Sequence, residues 1–451
     1  MLKYYLIVGT ALVMWSCKIQ KDYTAPSVAD VENFRDSMAT DSTSFADASW
    51  WSVFNDTTLV SLVQEGLDNN LPLRNTVILI RQSQLQLEIA RSQLYPSINY
   101  SAGSDLTKNT LEPGTTPSML AAANVSYTLD VWGRIRNQNE AAMQAYLATE
   151  MARNQVQATL VTQIATVYFT LRDIDNKIII AENMIAALSE FSAIIEARYD
   201  AGFISKVDLN QVIISQKDAE VTLQALIRGR RQVENALSTV LGSTPKSIPR
   251  GLPLQDQVFP SALPLGVPAD LLQRRPSILI LERQLRAQLA VIGATEAQLY
   301  PNFVLSLDMG AQVTNPSLLF GTVAANLVGP IFNRGLIRNS IEIEEESYKQ
   351  LVNEYEQAYL LAFQEVEDAL IAITTYRNEF EVRKEQLDLS QEALDLSWVR
   401  YNEGVTSFLE FINLQNSLFT AQLSASESYK LHLQSIVKLY LALGGGWQNE
   451  N

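Results

Sequence analysis

Two periodicities alternate along this chain, and they do so twice. Leu59 to Leu67 and Leu73 to Leu94 place apolar residues at helical spacing, and Pro96 closes the second stretch. The period then drops to two. Ile98-Asn-Tyr-Ser-Ala102 alternates apolar and polar residues. So does Ala123 to Asp130, with Val125, Tyr127 and Leu129 on one face and Asn124, Ser126, Thr128 and Asp130 on the other. A Thr, Pro and Gly loop from Thr107 to Pro117 is predicted between these strands. Helical spacing returns from about Asn139 to Tyr199 without a Pro or Gly. At 1.5 Å per residue these roughly 60 residues predict a rod of about 90 Å.

The distal half of that rod carries heptad spacing at Ile174, Ile178, Ala181, Ile185, Leu188, Ser192 and Ile195. Its middle is rich in alanine, at 141, 142, 145, 148 and 152, which permits close helix packing. A return helix is predicted from about Lys206 to Leu241. Together with the helix ahead of the strands it nearly matches the rod in length, so the unit reads as two columns of a helical wall.

The second half repeats the programme. Phe303, Leu305, Leu307 and Met309 alternate with Val304, Ser306 and Asp308; Val323, Ala325 and Leu327 alternate with Ala324 and Asn326, after a loop around Asn315-Pro316. Val366, Ile373, Phe380, Leu387, Leu394 and Tyr401 follow at steps of seven. Short identities mark the repeat directly. Gly133-Arg-Ile-Arg-Asn137 returns as Gly335-Leu-Ile-Arg-Asn339, Arg198-Tyr199 as Arg400-Tyr401, and Leu241-Gly242 as Leu443-Gly444, all displaced by 202 residues. Leu94-Tyr95-Pro96 returns as Leu299-Tyr300-Pro301, displaced by 205. One unit of roughly 200 residues is therefore used twice. The predicted division is 1–16, 17–48, 49–245 and 246–451, the last two being the repeats.

Composition narrows the function. The net charge of −15, with 34 Lys and Arg against 49 Asp and Glu, argues against nucleic acid and anionic lipid surfaces. It fits a lumen that disfavours anions, and equally a solvated acidic surface. One Cys and one His exclude an intrachain disulfide and His/Cys metal clusters. No cofactor or metal site is expected. An enzyme is disfavoured too: His432 has no nucleophile partner, and Gly444 to Gly446 cannot open a helix as a phosphate loop.

The single cysteine has a telling place. Lys3 precedes an apolar run from Leu6 to Trp15, too short to span a bilayer, and Ser16-Cys17 follows. This resembles a bacterial lipoprotein signal, with cleavage before Cys17 and acylation of that residue. Residues 1–16 are then a signal peptide and 17–48 a lipidated, polar tether. Met14 and Trp15 depart from the usual lipoprotein pattern. Lys18 is not the Asp that commonly retains lipoproteins at the inner membrane, so outer-membrane sorting is expected. An ordinary secretory signal with an incidental Cys is the alternative.

No run of 18 apolar residues exists beyond the signal, so any crossing of a membrane would need a closed β-barrel. Pattern alone favours two soluble hairpins for the four strands. If they do face lipid, four strands cannot close a barrel, and several subunits must pool them.

Longer motifs name a family. Trp50-Trp51-Ser-Val-Phe-Asn-Asp-Thr-Thr-Leu59, Val125-Ser-Tyr-Thr-Leu-Asp-Val-Trp-Gly-Arg134 and Ala362-Phe-Gln-Glu-Val-Glu-Asp-Ala369 resemble motifs of the TolC-type outer-membrane factors of tripartite efflux systems, in particular their lipoprotein branch. The resemblance covers essentially all of the chain after the signal. It implies a mainly α chain with membrane β: a homotrimer whose four strands per subunit form a 12-stranded outer-membrane barrel, continued by a periplasmic α-helical barrel. Short helices near Leu59 to Leu67 and about Pro268 to Arg274, with the chain ends, would form a belt. The implied role is a passive, non-enzymatic exit duct for small molecules, joined by a periplasmic adaptor to an inner-membrane pump. A duct for type I protein secretion is the alternative within the family. Outside it stand a periplasmic adaptor, opposed by the duplicated strand pairs, and a structural coiled-coil lipoprotein.

The resemblance also assigns residues. The turns Gly202-Phe203-Ile204-Ser205 and Gly404-Val405-Thr406-Ser407 are expected to contact the adaptor. Asp208 and Glu410 match the family's gate-lining acids; Asn413 stands where the archetype has a further acid, so the ring would carry less charge. As plain helix chemistry, each glycine ends a helix, each serine caps the next, and each acid complements a helix dipole.

Overall fold

The computed structural model describes residues 22–28, 34–35, 44–108, 115–259, 264–265, 271–313 and 318–447. The expected signal peptide, Cys17 and most of the expected tether lie outside the described residues. Helices α1 (Trp50–Val53), α2 (Thr57–Asn69) and α3 (Leu71–Ser92) lead into strands β1 (Ser97–Lys108) and β2 (Thr115–Leu129). Helices α4 (Arg134–Asp200) and α5 (Lys206–Val240) complete the first repeat. The second repeat runs α6 (Leu271–Arg274), α7 (Pro276–Glu296), β3 (Asn302–Val313), β4 (Leu318–Val328), α8 (Leu336–Asn402) and α9 (Phe408–Ala442). Helices α4 and α8 have 67 residues each, and α5 and α9 have 35 each.

Three boundaries differ from the sequence expectation, for local reasons. Helix α4 begins at Arg134, ahead of the expected Asn139, and is about 100 Å long at 1.5 Å per residue. The Asp130 carboxylate accepts hydrogen bonds from the Ile135 and Arg136 amides at 2.9 Å, so first-turn donors are satisfied early. The expected 107–117 loop is shorter, because β1 continues to Lys108 and β2 starts at Thr115. Pro117 sits within β2 opposite Leu106, beyond Met119, the outermost β2 residue paired with β3. Among the described residues β2 has no partner on its β3 side there, and an unpaired side is the place in a sheet that tolerates proline. Helix α4 also contains an 18-residue window of mean hydropathy 1.7, of which only 28% is buried. It is interrupted by charged residues, so it is not the uninterrupted apolar run the sequence lacks.

The chain divides into two compact units, each drawing on both repeats. The first comprises Val77–Ala152, Ser277–Ala358 and the described residues of Met1–Val28. It holds the sheet and the helical segments that enter and leave it. Those segments are tied by Asn139 Nδ2 to the Ala90 carbonyl at 3.1 Å, Arg283 to Gln144 at 3.3 Å, and Gln288 to the Glu344 carboxylate at 2.6 Å. Leu87, Ile135, Ile278, Leu285 and Ile292 are buried there. The Arg286 guanidinium lies 4.5 Å from the Tyr23 ring centroid, which pins the start of the described chain to α7.

The second unit comprises the described residues of Ala29–Thr76, Arg153–Pro276 and Tyr359–Asn451. Its main core gathers Trp50, Leu59 and Leu62 against Tyr168, Phe169, Leu237, Val366 and Tyr440. Asp56 organises one side of it. Its buried carboxylate caps α2 at Thr58, and it accepts from the Tyr168 hydroxyl and Gln257 at 2.7 Å and the Leu252 amide at 3.0 Å. Burial alone would raise this carboxyl, but those hydrogen bonds hold it below its ordinary value. The repeat is visible here in detail. Gly242 and Gly444, both at positive φ, end α5 and α9 against the last residues of α2 and α6. A Cβ on Gly242 would come within 2.3 Å of the Asn69 carbonyl oxygen, and one on Gly444 within 3.0 Å of that of Arg274.

Candidate channel wall and helix-hairpin turns

The four strands form one antiparallel sheet in the order β1-β2-β3-β4. The ladder runs unbroken from Ser97–Ser126 through Asn124–Asp308 to Asp308–Thr322, so residue parity assigns every side chain to a face. One face carries Ile98, Tyr100, Leu106, Met119, Val125, Leu305, Met309, Leu319, Val323 and Leu327. It is open: Tyr100 is 90% exposed, Leu319 84% and Val323 82%. The other face carries Asn99, Ser101, Asp105, Asn124, Ser126, Thr128, Ser306, Asp308, Thr322 and Asn326, with Leu120, Leu318 and Phe320 towards one end. Among the described residues the outer edges of β1 and β4 pair with no strand. Apolar-out, polar-in alternation over strands of 11 to 15 residues is the pattern of a membrane barrel wall.

An aromatic cluster marks the helix-proximal margin of the sheet. Trp132 stacks on Tyr300 with ring centroids 4.6 Å apart and donates from Nε1 to the Pro301 carbonyl at 2.8 Å. Tyr95 and Phe332 are exposed at the same margin. Amphipathic rings in this position suit the boundary between lipid tails and water.

The two hairpin turns lie in the second unit, and their backbones are the same. Gly202 has φ 78° and Gly404 φ 71°. At each, the next amide reaches back five residues to close the helix: Phe203 to the Arg198 carbonyl and Val405 to that of Arg400, both at 2.9 Å. Phe203 and Val405, equivalent in the repeat, both point into solvent.

The side chains around the turns differ. Ser205 caps α5 reciprocally with Asp208: the Asp208 amide donates to Ser205 Oγ, and the Ser205 amide donates to the Asp208 carboxylate, each at 3.3 Å. Ser407 makes no side-chain cap. Glu410 instead accepts from the Thr406 hydroxyl and pairs with Arg400 at 3.5 Å. Asn413 is exposed, one turn further along α9. Arg198, the counterpart of Arg400, lies 5.1 Å from the Tyr401 ring centroid and donates to Asn402 at 3.3 Å. Thus the structure places Asp208 and Glu410 at equivalent positions, with Asp208 tied to its own cap and Glu410 to a cation.

Beneath the turns, Phe191, Trp398, Tyr401, Phe408 and Phe411 form a continuous aromatic cluster, with Phe191 and Phe411 centroids 4.7 Å apart. Leu188, Ile195, Val212 and Ile412 pack with it. The heptad reading anticipated Ile178, Ala181, Leu188 and Ile195 as buried. Of the aromatic cluster it included only Tyr401; the signal for most of the rest is the density of aromatics between Trp398 and Phe411.

Farther along, α4 and α9 share a buried charged group. The Asp173 carboxylate meets Lys177 at 2.7 Å and the Ser426 hydroxyl at 2.6 Å, while Lys177 and Lys430 both contact Glu427. Burial pushes the Asp173 carboxyl up against the pull of Lys177. Burial would also raise Glu427, but hydrogen bonds from Lys177 and Lys430 and their charges hold it at about 2.

Known proteins share this architecture. The profile of the Outer membrane efflux protein family matches twice, at residues 62–243 and 267–445. The antibiotic efflux pump outer membrane protein ArpC of Pseudomonas putida is 30% identical over 98% of this chain and 95% of its own. Outer membrane protein OprJ of Pseudomonas aeruginosa is 29% identical over 97% and 94%. The open-state Neisseria gonorrhoeae MtrE outer membrane channel superposes with a TM-score of 0.88 at 26% identity, covering 96% of this chain and 99% of that one. With its duplicated helix–strand–helix plan and a two-faced, four-stranded sheet, the chain belongs to the outer membrane efflux protein family.

Proposed function

We propose that this chain is one subunit of a trimeric outer-membrane duct, the passive exit for small molecules delivered by an inner-membrane pump through a periplasmic adaptor. The observation that carries the reading is the sheet: one face apolar and exposed, the other polar, and both outer edges unpaired among the described residues. Open strand edges cannot face lipid, so copies must pool strands into a closed wall. Three copies give 12 strands, and the polar faces then line the lumen. The poorly buried apolar window of α4 fits the same assembly, since neighbouring subunits would cover it. Small molecules are favoured over protein as cargo because ArpC is named for antibiotic efflux.

The finer assignments follow that reading. Acylation at Cys17 would anchor the tether in the outer membrane. The turns Gly202–Ser205 and Gly404–Ser407 would meet the adaptor, and the exposed apolar pair Phe203 and Val405 gives it a surface to grip. Asp208, Glu410 and Asn413 would line the periplasmic gate, and opening would break the Arg400–Glu410 pair.

The test is purification from the outer membrane followed by reconstitution in planar lipid bilayers. A heat-stable trimer that conducts in discrete steps is expected, and Asp208→Ala with Glu410→Ala should raise conductance or reduce cation preference. A monomer without conductance would overturn the duct. A conducting trimer indifferent to both substitutions would overturn the gate assignment.

A further inference from the structure

The sheet contains one row in which all four strands present a polar side chain to the same face: Asn99, Asn124, Asp308 and Thr322, direct partners in register. The rows on either side are different. One reads Ser97, Ser126, Ser306 and Ala324; the other reads Ser101, Ala122, Gly310 and Phe320. Only the first row carries large amides and a carboxylate together. Asp308 is also fixed. Asn124 Nδ2 donates to its Oδ1 at 2.6 Å, and among the described residues Oδ2 takes no hydrogen bond. Among the described residues of the four strands the carboxylates are Asp105 and Asp308, and Asp105 stands near the loop end of β1.

One row outward, glycine makes room for an aromatic ring. A Cβ on Gly310 would lie 2.7 Å from Phe320 Cζ, 2.6 Å from the Ala121 carbonyl oxygen and 2.9 Å from Ala122 Cβ. The Phe320 ring therefore lies across the wall over Gly310, on the polar face and beside the Asp308 row. A carboxylate next to an aromatic face attracts organic cations twice, through charge and through the ring quadrupole.

We infer that Asp308, oriented by Asn124 and flanked by Phe320, forms a cation-selecting ring within the β-wall, separate from the acids at the helix turns. The inference rests on the pooled barrel, which brings three copies of the row to one level. Its preferred cargo is amphipathic organic cations; small anions are disfavoured. Asp308 acts on the passing solute directly, whereas Asn124 is a positioning residue.

The experiment uses the full-length trimer in planar bilayers, in the Asp208→Ala and Glu410→Ala background so that the two acids assigned to the gate contribute no charge. Reversal potentials in a potassium chloride gradient should still show cation preference. Asp308→Asn should lower the cation-to-anion permeability ratio roughly threefold, and Asp308→Lys should invert the preference. Asn can keep the bond to Asn124, so folding is retained. Tetraphenylphosphonium added from the strand-loop side should block wild-type current, and Asp308→Asn or Phe320→Leu should relieve the block. Channels whose selectivity and block are unchanged by both Asp308 substitutions overturn the inference while leaving the duct intact. Absence of channels in the parent background would instead overturn the duct.

Discussion

The two hairpin turns share a backbone and little else. Both end a 67-residue helix with a left-handed glycine and the same hydrogen bond to the carbonyl five residues back. Yet the first turn is self-capped, through Ser205 and Asp208, while the second lies beside the edge-packed rings of Tyr401 and Phe408 and holds its acid with Arg400. The difference extends along the return helices. Helix α9 buries one side almost continuously, from Phe408 to Ala442, whereas α5 leaves Val207, Ile214 and Val221 exposed. Duplication preserved what the backbone must do to reverse direction, and it freed the side chains to divide labour. Both hairpins enter one core, Leu188, Ile195 and Val212 from the first and Phe408, Phe411 and Ile412 from the second, but most of its aromatic rings come from the second and they are its anchor.

The largest effect should come from that anchor. Phe411 is 1% exposed within the aromatic cluster, so Phe411→Ala should cost about 3–5 kcal/mol. Leu209→Ala, at the equivalent position of the first repeat and half-buried, should cost about 1 kcal/mol. Hydrogen exchange of the amides around both turns separates the two, and equal losses would erase the claimed division. Next come the glycines. Gly202→Ala and Gly404→Ala meet no neighbour within 4 Å, so each should cost only the left-handed strain of about 1–2 kcal/mol. Unequal values would show that the backbones are less alike than their angles. Ser205→Ala should then cost about 1 kcal/mol by loss of its cap, while Ser407→Ala, which loses none, should stay within a few tenths.

The smallest effect is one of pH. Glu427 has a folded-state value near 2, below the roughly 4.3 of an unperturbed glutamate. Its contribution is therefore present above about pH 4 and lost as pH falls towards 2. Its side chain is 42% exposed, so solvent screening keeps the effect modest. Glu427→Gln should flatten that part of the acid-unfolding curve, followed by circular dichroism. The counterpart of Glu427 in the first repeat is Ala225, so no matching dependence is expected from that position of α5.

Much of this fold was legible in the sequence because it rests on local signals. Alternation specified the strands, absence of Pro and Gly specified the long helices, and the turn glycines specified their ends. Strand length was underestimated because Thr107 and Pro117 are loop-like in composition, yet ladder pairing with β1 carries β2 past a proline. The interior of the hairpins was legible as heptads but not as chemistry. That Arg400 meets Glu410, or that Asn124 bonds Asp308 across 184 residues, depends on register between strands and helices. Nothing near either residue announces its partner. The family motifs located the turns and their acids, but which acid is caged by a cation is decided by a substitution pattern outside those motifs.

The bare strand edges of β1 and β4 have a genetic consequence. A subunit that completes its wall only by borrowing strands from two sisters cannot be defective in private. A variant with intact edges but a ruined lumen, such as one with a bulky residue in the Asp308 row, would enter assemblies as readily as the normal chain. At equal expression only about one trimer in eight would then be wholly normal. Such alleles should behave as dominant poisons. Alleles that damage an edge, by contrast, should be recessive, because the chain they encode never joins.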